Sequence, residues 1–192
     1  FMEFEWRSDT APFDMFLKEQ QTLSITAKKG LDLFYGVGGC ASCHSGALLT
    51  DHEFHAMGQP QVGPGKAARF QSHARDEGRF RVTGLDVDKY AFRTPSLRNV
   101  KLTGPWGHAG AYSDLTAFVA AHADPRAGLT NYNRLGIVLP QFDVADWRIM
   151  DDPAEVAAIS KAVSIDPVSL SSDEVSALVA FLGSLTDTSA QV

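Results

Sequence analysis

The 192-residue sequence has only two cysteines, no long apolar run and no cluster of basic residues, and each shortage excludes something. Cys40 and Cys43 are used together in Cys40-Ala-Ser-Cys43-His44. No other thiol is left for a structural disulfide, so the core must hold without one. The longest apolar stretch, around Ala177–Leu182, falls far short of the roughly 20 residues of a membrane-spanning helix. Lys and Arg number 17 against 23 Asp and Glu, for a net charge of −6. An acidic balance without a basic patch argues against nucleic acid as a partner. The opening residues, Phe-Met-Glu-Phe-Glu, show neither a basic n-region nor an apolar h-region. A mature or trimmed product, with any export signal out of view, is therefore expected. What the chain does have is 44% hydrophobic residues, enough for the core of one ordinary domain over residues 1–192.

Cys40-Ala-Ser-Cys43-His44 has three readings. A redox Cys-x-x-Cys follows a strand and opens a helix in an alternating β/α pattern, and no such pattern precedes Cys40. A zinc site built from Cys40, Cys43, His52 and His55 has only two residues between its histidines, fewer than the usual spacing. The third reading is covalent haem attachment, for which Cys-x-x-Cys-His is the signature. Thiols three positions apart lie about one turn from each other and can bond two vinyl groups along one porphyrin edge. The adjacent His44 then supplies the proximal nitrogen to iron.

The flanking patterns are helical. In Ile25–Tyr35, Ala27, Leu31, Phe34 and Tyr35 fall on one face, and Gly36, Gly38 and Gly39 end the helix before Cys40. Gly30 costs that helix about 1 kcal/mol relative to Ala. Keeping it suggests close approach by a second helix, with packing slack as the alternative. Near the C-terminus, Ser171-Ser-Asp-Glu174 offers a cap and an acidic first turn, followed by a stripe of Val175, Leu178, Val179, Leu182 and Leu185. Two such helices crossing beside a haem are the cytochrome c plan. The expected fold is thus mainly α, a cytochrome c-like haem domain with long irregular loops. The tract from Gly58 to Asp88, rich in Gly, Pro and charge, carries no clear period, and loops of that length usually serve a site.

An iron held by His44 has one axial position left. Met57, Met150, His52, His55, His73, His108 and His122 are the candidates. His122 stands out on pattern. Ser113-Asp114 can cap a helix, and Leu115, Phe118, Val119 and His122 follow at helical spacing, which turns the imidazole inward with the stripe. A buried imidazole needs a partner, and iron is one; a core histidine bonded to a carbonyl is the alternative. Met57 is only thirteen positions past His44, and Met150 lies in a polar, surface-near setting, Trp147-Arg-Ile-Met-Asp-Asp152.

Several stretches together carry a family resemblance: Gly46-Ala-Leu-Leu-Thr-Asp-His-Glu-Phe-His-Ala-Met-Gly58, Asp76-Glu-Gly-Arg-Phe80, Phe92-Arg-Thr-Pro-Ser-Leu-Arg-Asn-Val100 and Leu102-Thr-Gly-Pro-Trp-Gly-His-Ala-Gly110. In order and spacing the chain resembles the C-terminal half of bacterial di-haem cytochrome c peroxidases and the related MauG enzymes. The resemblance implies the six-coordinate, electron-transferring half of a two-haem enzyme, with residues 1–23 a lead-in from an N-terminal haem domain that meets peroxide. It makes Cys40 and Cys43 the thioether sites of one haem c and His44 the proximal ligand. The family's distal Met or Tyr aligns with His122, a departure that implies two-histidine ligation and a lower potential than a His/Met relative.

Further roles follow from the resemblance alone. Arg79, Arg93 and Arg98 are candidates for pairing with haem propionates. His108 and Trp106 belong beside the haem edge, although the family's usual Asp after the histidine is Ala109 here. Thr103 and Pro105 match part of a calcium site between the two domains. The implied partners are a second haem-bearing domain or chain and a small redox protein as donor, and the implied location is the periplasm. A MauG-like enzyme that oxidises a partner protein, and a stand-alone electron-transfer cytochrome, are the competing readings.

Overall fold

The computed structural model describes residues 9–63, 74–138 and 146–187, which fall into two compact units. The chain is mainly helical. Its helices are α1 (Pro12–Leu17), α2 (Ile25–Tyr35), α3 (Phe80–Thr83), α4 (Leu115–Ala123), α5 (Pro125–Thr130), α6 (Pro153–Ala162) and α7 (Ser172–Gly183). The only described sheet is a two-stranded ribbon, β1 (Phe54–Ala56) and β2 (Ala91–Arg93), paired antiparallel with Phe54 opposite Arg93 and Ala56 opposite Ala91.

The first unit contains residues 9–51, 95–103 and 170–187. Local signals start its helices where the sequence places them. Ser24 Oγ accepts from the Ala27 N–H, and Ser171 with Glu174 forms a reciprocal capping box. α2 and α7 then cross with their backbones almost touching, because Gly30 sits against the Ala177 carbonyl and a Cβ added there would lie 1.9 Å from that oxygen. This close approach, rather than packing slack, accounts for the glycine. The buried face of α2 is Ala27, Gly30, Leu33 and Phe34, while Leu31 is half-buried and Tyr35 exposed, so the seam is rotated from the face expected. Phe181 of α7, fully buried, takes Phe13 edge-on at 5.2 Å and Phe34 at 5.0 Å between ring centroids.

α1 is docked on the same core. The Phe13 N–H donates to the Ser184 carbonyl at 3.0 Å, and both carboxylate oxygens of Asp14 lie 2.6 Å from Arg98 Nη1. Side-chain exposure is 8% for Asp14 and 16% for Arg98, so this ion pair is largely withdrawn from water. Removing one member of such a pair leaves an uncompensated buried charge. Asp14→Ala should therefore destabilise the chain by about 3 kcal/mol or more, and combining it with Arg98→Met, which also gives up the bonds to Ala47, should cost less than the two single losses together. Urea melts of both single variants and of the double variant check this; losses that simply add would mean the pair is not coupled.

The second unit contains residues 52–63, 74–94, 104–138 and 146–169. Its core gathers Tyr90, Leu129 and Ile159, with Ile149, Met150 and Val156 packed against them. Met150 is thus a partly buried core residue and not the surface-near side chain its polar neighbours suggest. α4 and α5 share a joint, since Asp124 closes the first while its carboxylate caps the second through the Ala127 N–H at 3.1 Å. Gly128 of α5 fits against Ala121, whose Cβ would lie 2.7 Å from any side-chain atom placed there.

Candidate functional site

The Cys40–His44 segment is shaped by the glycines before it. After α2, the Gly36 and Gly38 N–H groups both donate to the Leu33 carbonyl, and a Cβ on Gly38 would meet that oxygen at 2.6 Å. Gly39 takes φ +67°, a left-handed conformation that favours glycine. The chain then winds into one tight turn over Cys40–Ser42, with the Cys43 and His44 N–H groups donating to the Cys40 carbonyl at 3.3 and 3.0 Å. This puts two free, half-buried thiols on a single turn. Burial pushes the Cys40 thiol up from its ordinary pKa, whereas a redox Cys-x-x-Cys needs an acidified attacking thiol.

His44 is held by its own loop. Its Nδ1 lies 3.1 Å from the Leu49 carbonyl, which can only accept, so Nδ1 carries the proton and the basic nitrogen is Nε2. Leu49 is 1% exposed and sits at φ +53°, a strained conformation that fixes the direction of its carbonyl. Segment 95–98 clamps the loop from outside. Arg98 Nε and Nη2 donate to the Ala47 carbonyl at 3.0 and 2.9 Å, and Ser96 Oγ donates to the Leu48 carbonyl at 2.6 Å. Two thiols on one turn, next to an imidazole whose Nδ1–H is tied to a backbone carbonyl, suit a covalently attached haem with Nε2 as iron ligand.

Cys40, Cys43, His44, Arg98 and Thr103 lie in the first unit; His122, Arg79, Arg93, Pro105, Trp106 and His108 lie in the second. His122 is near the end of α4, whose start Asp114 caps through the Thr116 and Ala117 N–H groups. Its Nδ1 is shielded from solvent and its ring lies 5.2 Å from that of Phe118. Leu115 is buried, and Phe118, Val119 and His122 are half-buried. His108 stacks on Phe92 at 3.5 Å, and its Nε2 is 2.8 Å from an Asp76 carboxylate oxygen. Asp76 thus supplies from another loop the carboxylate that Ala109 lacks, and Gln61 bonds its backbone at both N–H and carbonyl. Arg79 lies over the Phe54 ring at 4.1 Å, and Arg93 Nη2 donates to His52 Nδ1 at 2.7 Å. The Trp106 and Tyr112 backbones exchange two hydrogen bonds, at 2.7 and 3.1 Å. Thr103 Oγ1 donates to the Val100 carbonyl at 3.2 Å, and Pro105 is exposed. His73 lies outside the described residues.

Two partners of these residues escape sequence reasoning. Asp14 and Arg98 are 84 positions apart, and Asp76 and His108 are 32 apart; no local pattern links either pair.

No family model matches the chain. It is 37% identical over 111 residues to the methylamine utilization protein MauG of Methylorubrum extorquens, a match covering 57% of this chain and 29% of that protein. It is 35% identical over 119 residues to the cytochrome c551 peroxidase of Pseudomonas aeruginosa, covering 62% and 33% respectively. Among solved structures, a MauG-like protein associated with microbial copper homeostasis superposes with a TM-score of 0.66 at 26% identity, over 95% of this chain and 49% of that one. The aligned part of this chain thus spans about a third of the curated relatives and about half of the solved one.

Proposed function

The chain belongs to the di-haem cytochrome c peroxidase and MauG family, and on that premise we propose that it is the haem c-bearing, electron-transfer part of such an oxidoreductase, with a cytochrome c-like fold. Cys40 and Cys43 hold the porphyrin through thioethers, and His44 ligates iron through Nε2. A haem held this way supplies one-electron redox chemistry at its iron. The observation that carries the proposal is the His44 Nδ1–H bond to the Leu49 carbonyl beside two free thiols on one turn. That bond selects the tautomer, fixes the ring plane and raises the basicity of the ligating nitrogen.

His122 is the proposed second axial ligand, on the strength of its place on α4 and its alignment with the family's distal residue. Filling both positions with imidazole lowers the potential relative to a His/Met haem and closes the iron to peroxide, so this chain alone does not turn over peroxide. Electrons pass from a small redox protein to a second haem-bearing domain or chain, where peroxide is reduced. Haem c is attached outside the cytoplasm, which makes the periplasm the proposed location. Arg79, Arg93 and Arg98 are the candidates toward the propionates, with Trp106 and His108 at the haem edge. Thr103 and Pro105 would give calcium only part of the roughly six to eight oxygens it takes.

The optical spectrum of His122→Ala tests the ligand assignment. The expected result is a change from low-spin to high-spin, together with new peroxide turnover. An unchanged low-spin spectrum removes His122 from the iron, and wild-type chain without covalent haem removes the whole reading.

A further inference from the structure

The second unit contains a continuous file of aromatic rings. From His122 it runs to Phe118 at 5.2 Å, to Tyr112 at 5.4 Å, to Tyr132 at 5.3 Å and to Trp147 at 5.9 Å, measured between ring centroids. Tyr112 is only 8% exposed and Tyr132 and Trp147 are half-buried, and both tyrosines line one pocket that opens to water. Three of the five rings, the two phenols and the indole, can lose one electron to a strong biological oxidant, and these three are consecutive. We propose that Tyr112, Tyr132 and Trp147 form a one-electron relay between the helix face that carries His122 and the protein surface at Trp147, where an external one-electron donor delivers its electron.

The groups around the relay decide where charge can rest. Tyr132 Oη donates to the Ala111 carbonyl at 2.5 Å, an acceptor that takes the hydrogen bond but not the proton. Among the described residues no carboxylate or imidazole bonds either phenol. Burial pushes both tyrosines up to about 12, so they stay protonated at any physiological pH. An oxidised phenol must therefore lose its proton to water. Arg134 sits over the Trp147 ring at 5.0 Å, fixed there by Asp151 and by the Met150 carbonyl. A guanidinium over the indole disfavours a cationic radical, so oxidised Trp147 releases its N–H proton and rests as the neutral indolyl.

One transfer balances as follows. A strong one-electron oxidant, of the peroxide-oxidised haem class, takes an electron from Tyr112 through Phe118, and the phenolic proton leaves to water. The tyrosyl radical is restored by one electron from Tyr132 and one proton, and Tyr132 in the same way by Trp147. The external donor then gives one electron, and solvent one proton, to the indolyl. The identity of the inner oxidant rests on the function proposed above; the relay does not.

Pulse radiolysis with azide radicals tests the relay without peroxide. The azide radical takes an electron from tryptophan, leaving azide, the indolyl radical and a proton. In the whole chain, part of the indolyl absorbance should decay at a rate independent of protein concentration as tyrosyl absorbance grows in step. Trp147→Phe should remove that phase, and Tyr132→Phe should slow it by an order of magnitude or more. Both variants keep a ring in place, and the second loses the hydrogen bond to the Ala111 carbonyl; circular dichroism establishes that each is folded before the rates are compared. Persistence of the phase at wild-type rate and amplitude in either variant overturns the relay, as does its absence from wild type. A haem-free chain that shows the transfer overturns the function above but keeps the relay; a haem-loaded chain without it does the reverse.

Discussion

A chain carrying Cys40→Ala together with Cys43→Ala should yield protein that loses its colour on extraction with acidified solvent, retaining less than about a tenth of the wild-type haem. The two thiols are half-buried on one turn, closed by hydrogen bonds to the Cys40 carbonyl. Under the proposed attachment, removing them deletes both tethers. His44→Ala makes the complementary change, leaving both thiols and deleting the imidazole that the Leu49 carbonyl orients. It should keep covalent haem while losing the six-coordinate spectrum. Intact mass reads the first effect and visible absorbance the second. Full covalent haem in the double alanine variant would mean that these thiols are not its attachment sites.

The second large effect is expected at Gly30→Ala. Alanine is the better helix former by about 1 kcal/mol, so an isolated helix would gain. Here the new methyl group would lie 1.9 Å from the Ala177 carbonyl oxygen, 2.5 Å from its carbon and 2.8 Å from the Phe181 Cβ. Two of those atoms are backbone, and no rotamer change relieves them. Forced overpacking of about 3 kcal/mol or more outweighs the helical gain. The net loss of about 2 kcal/mol or more is, for a chain of this size, a fall in Tm of roughly 4–8 °C or more. Gly183→Ala is the control, because its nearest neighbour is the Lys101 Cδ at an ordinary 3.7 Å. Thermal melts of the two variants should diverge; if they coincide, α2 and α7 do not cross at Gly30.

Signals confined to one turn were legible in the sequence. Residues 25–35 and the C-terminal helix follow from spacing and caps, and Ser171 with Glu174 forms the pair its spacing implies. Asp114 likewise starts the helix that carries His122. The orientation of α2 was misread because its contact centre is a glycine, which adds nothing to an apolar pattern. Phe181, the fully buried hub of that crossing, lies beside the expected stripe of α7 rather than in it. The start of α6 was written in Asp152-Pro153, a cap followed by proline at the first helical position, but no strong apolar period follows it. The support of the site was illegible for a different reason. Asp14 reaches Arg98, Asp76 reaches His108, and Tyr112, Tyr132 and Trp147 meet only after the chain has closed on itself. A sequence shows the reactive groups and their nearest caps, but not which distant carboxylate or ring will stand beside them.

The joint at Asp124 constrains how this protein could be altered. With one residue ending α4 and opening α5, and with Gly128 seated on Ala121, the pair has no slack to slide along either axis. A deletion or insertion between 122 and 125 would rotate the side chains of α5 out of register with α4. With His122 as the proposed iron ligand, the redox centre is most simply retuned by exchanging the side chain at 122 where it stands. In the proposed ligation position 122 is a cartridge slot beside a tight elbow, and the family resemblance offers methionine and tyrosine as its other fillings.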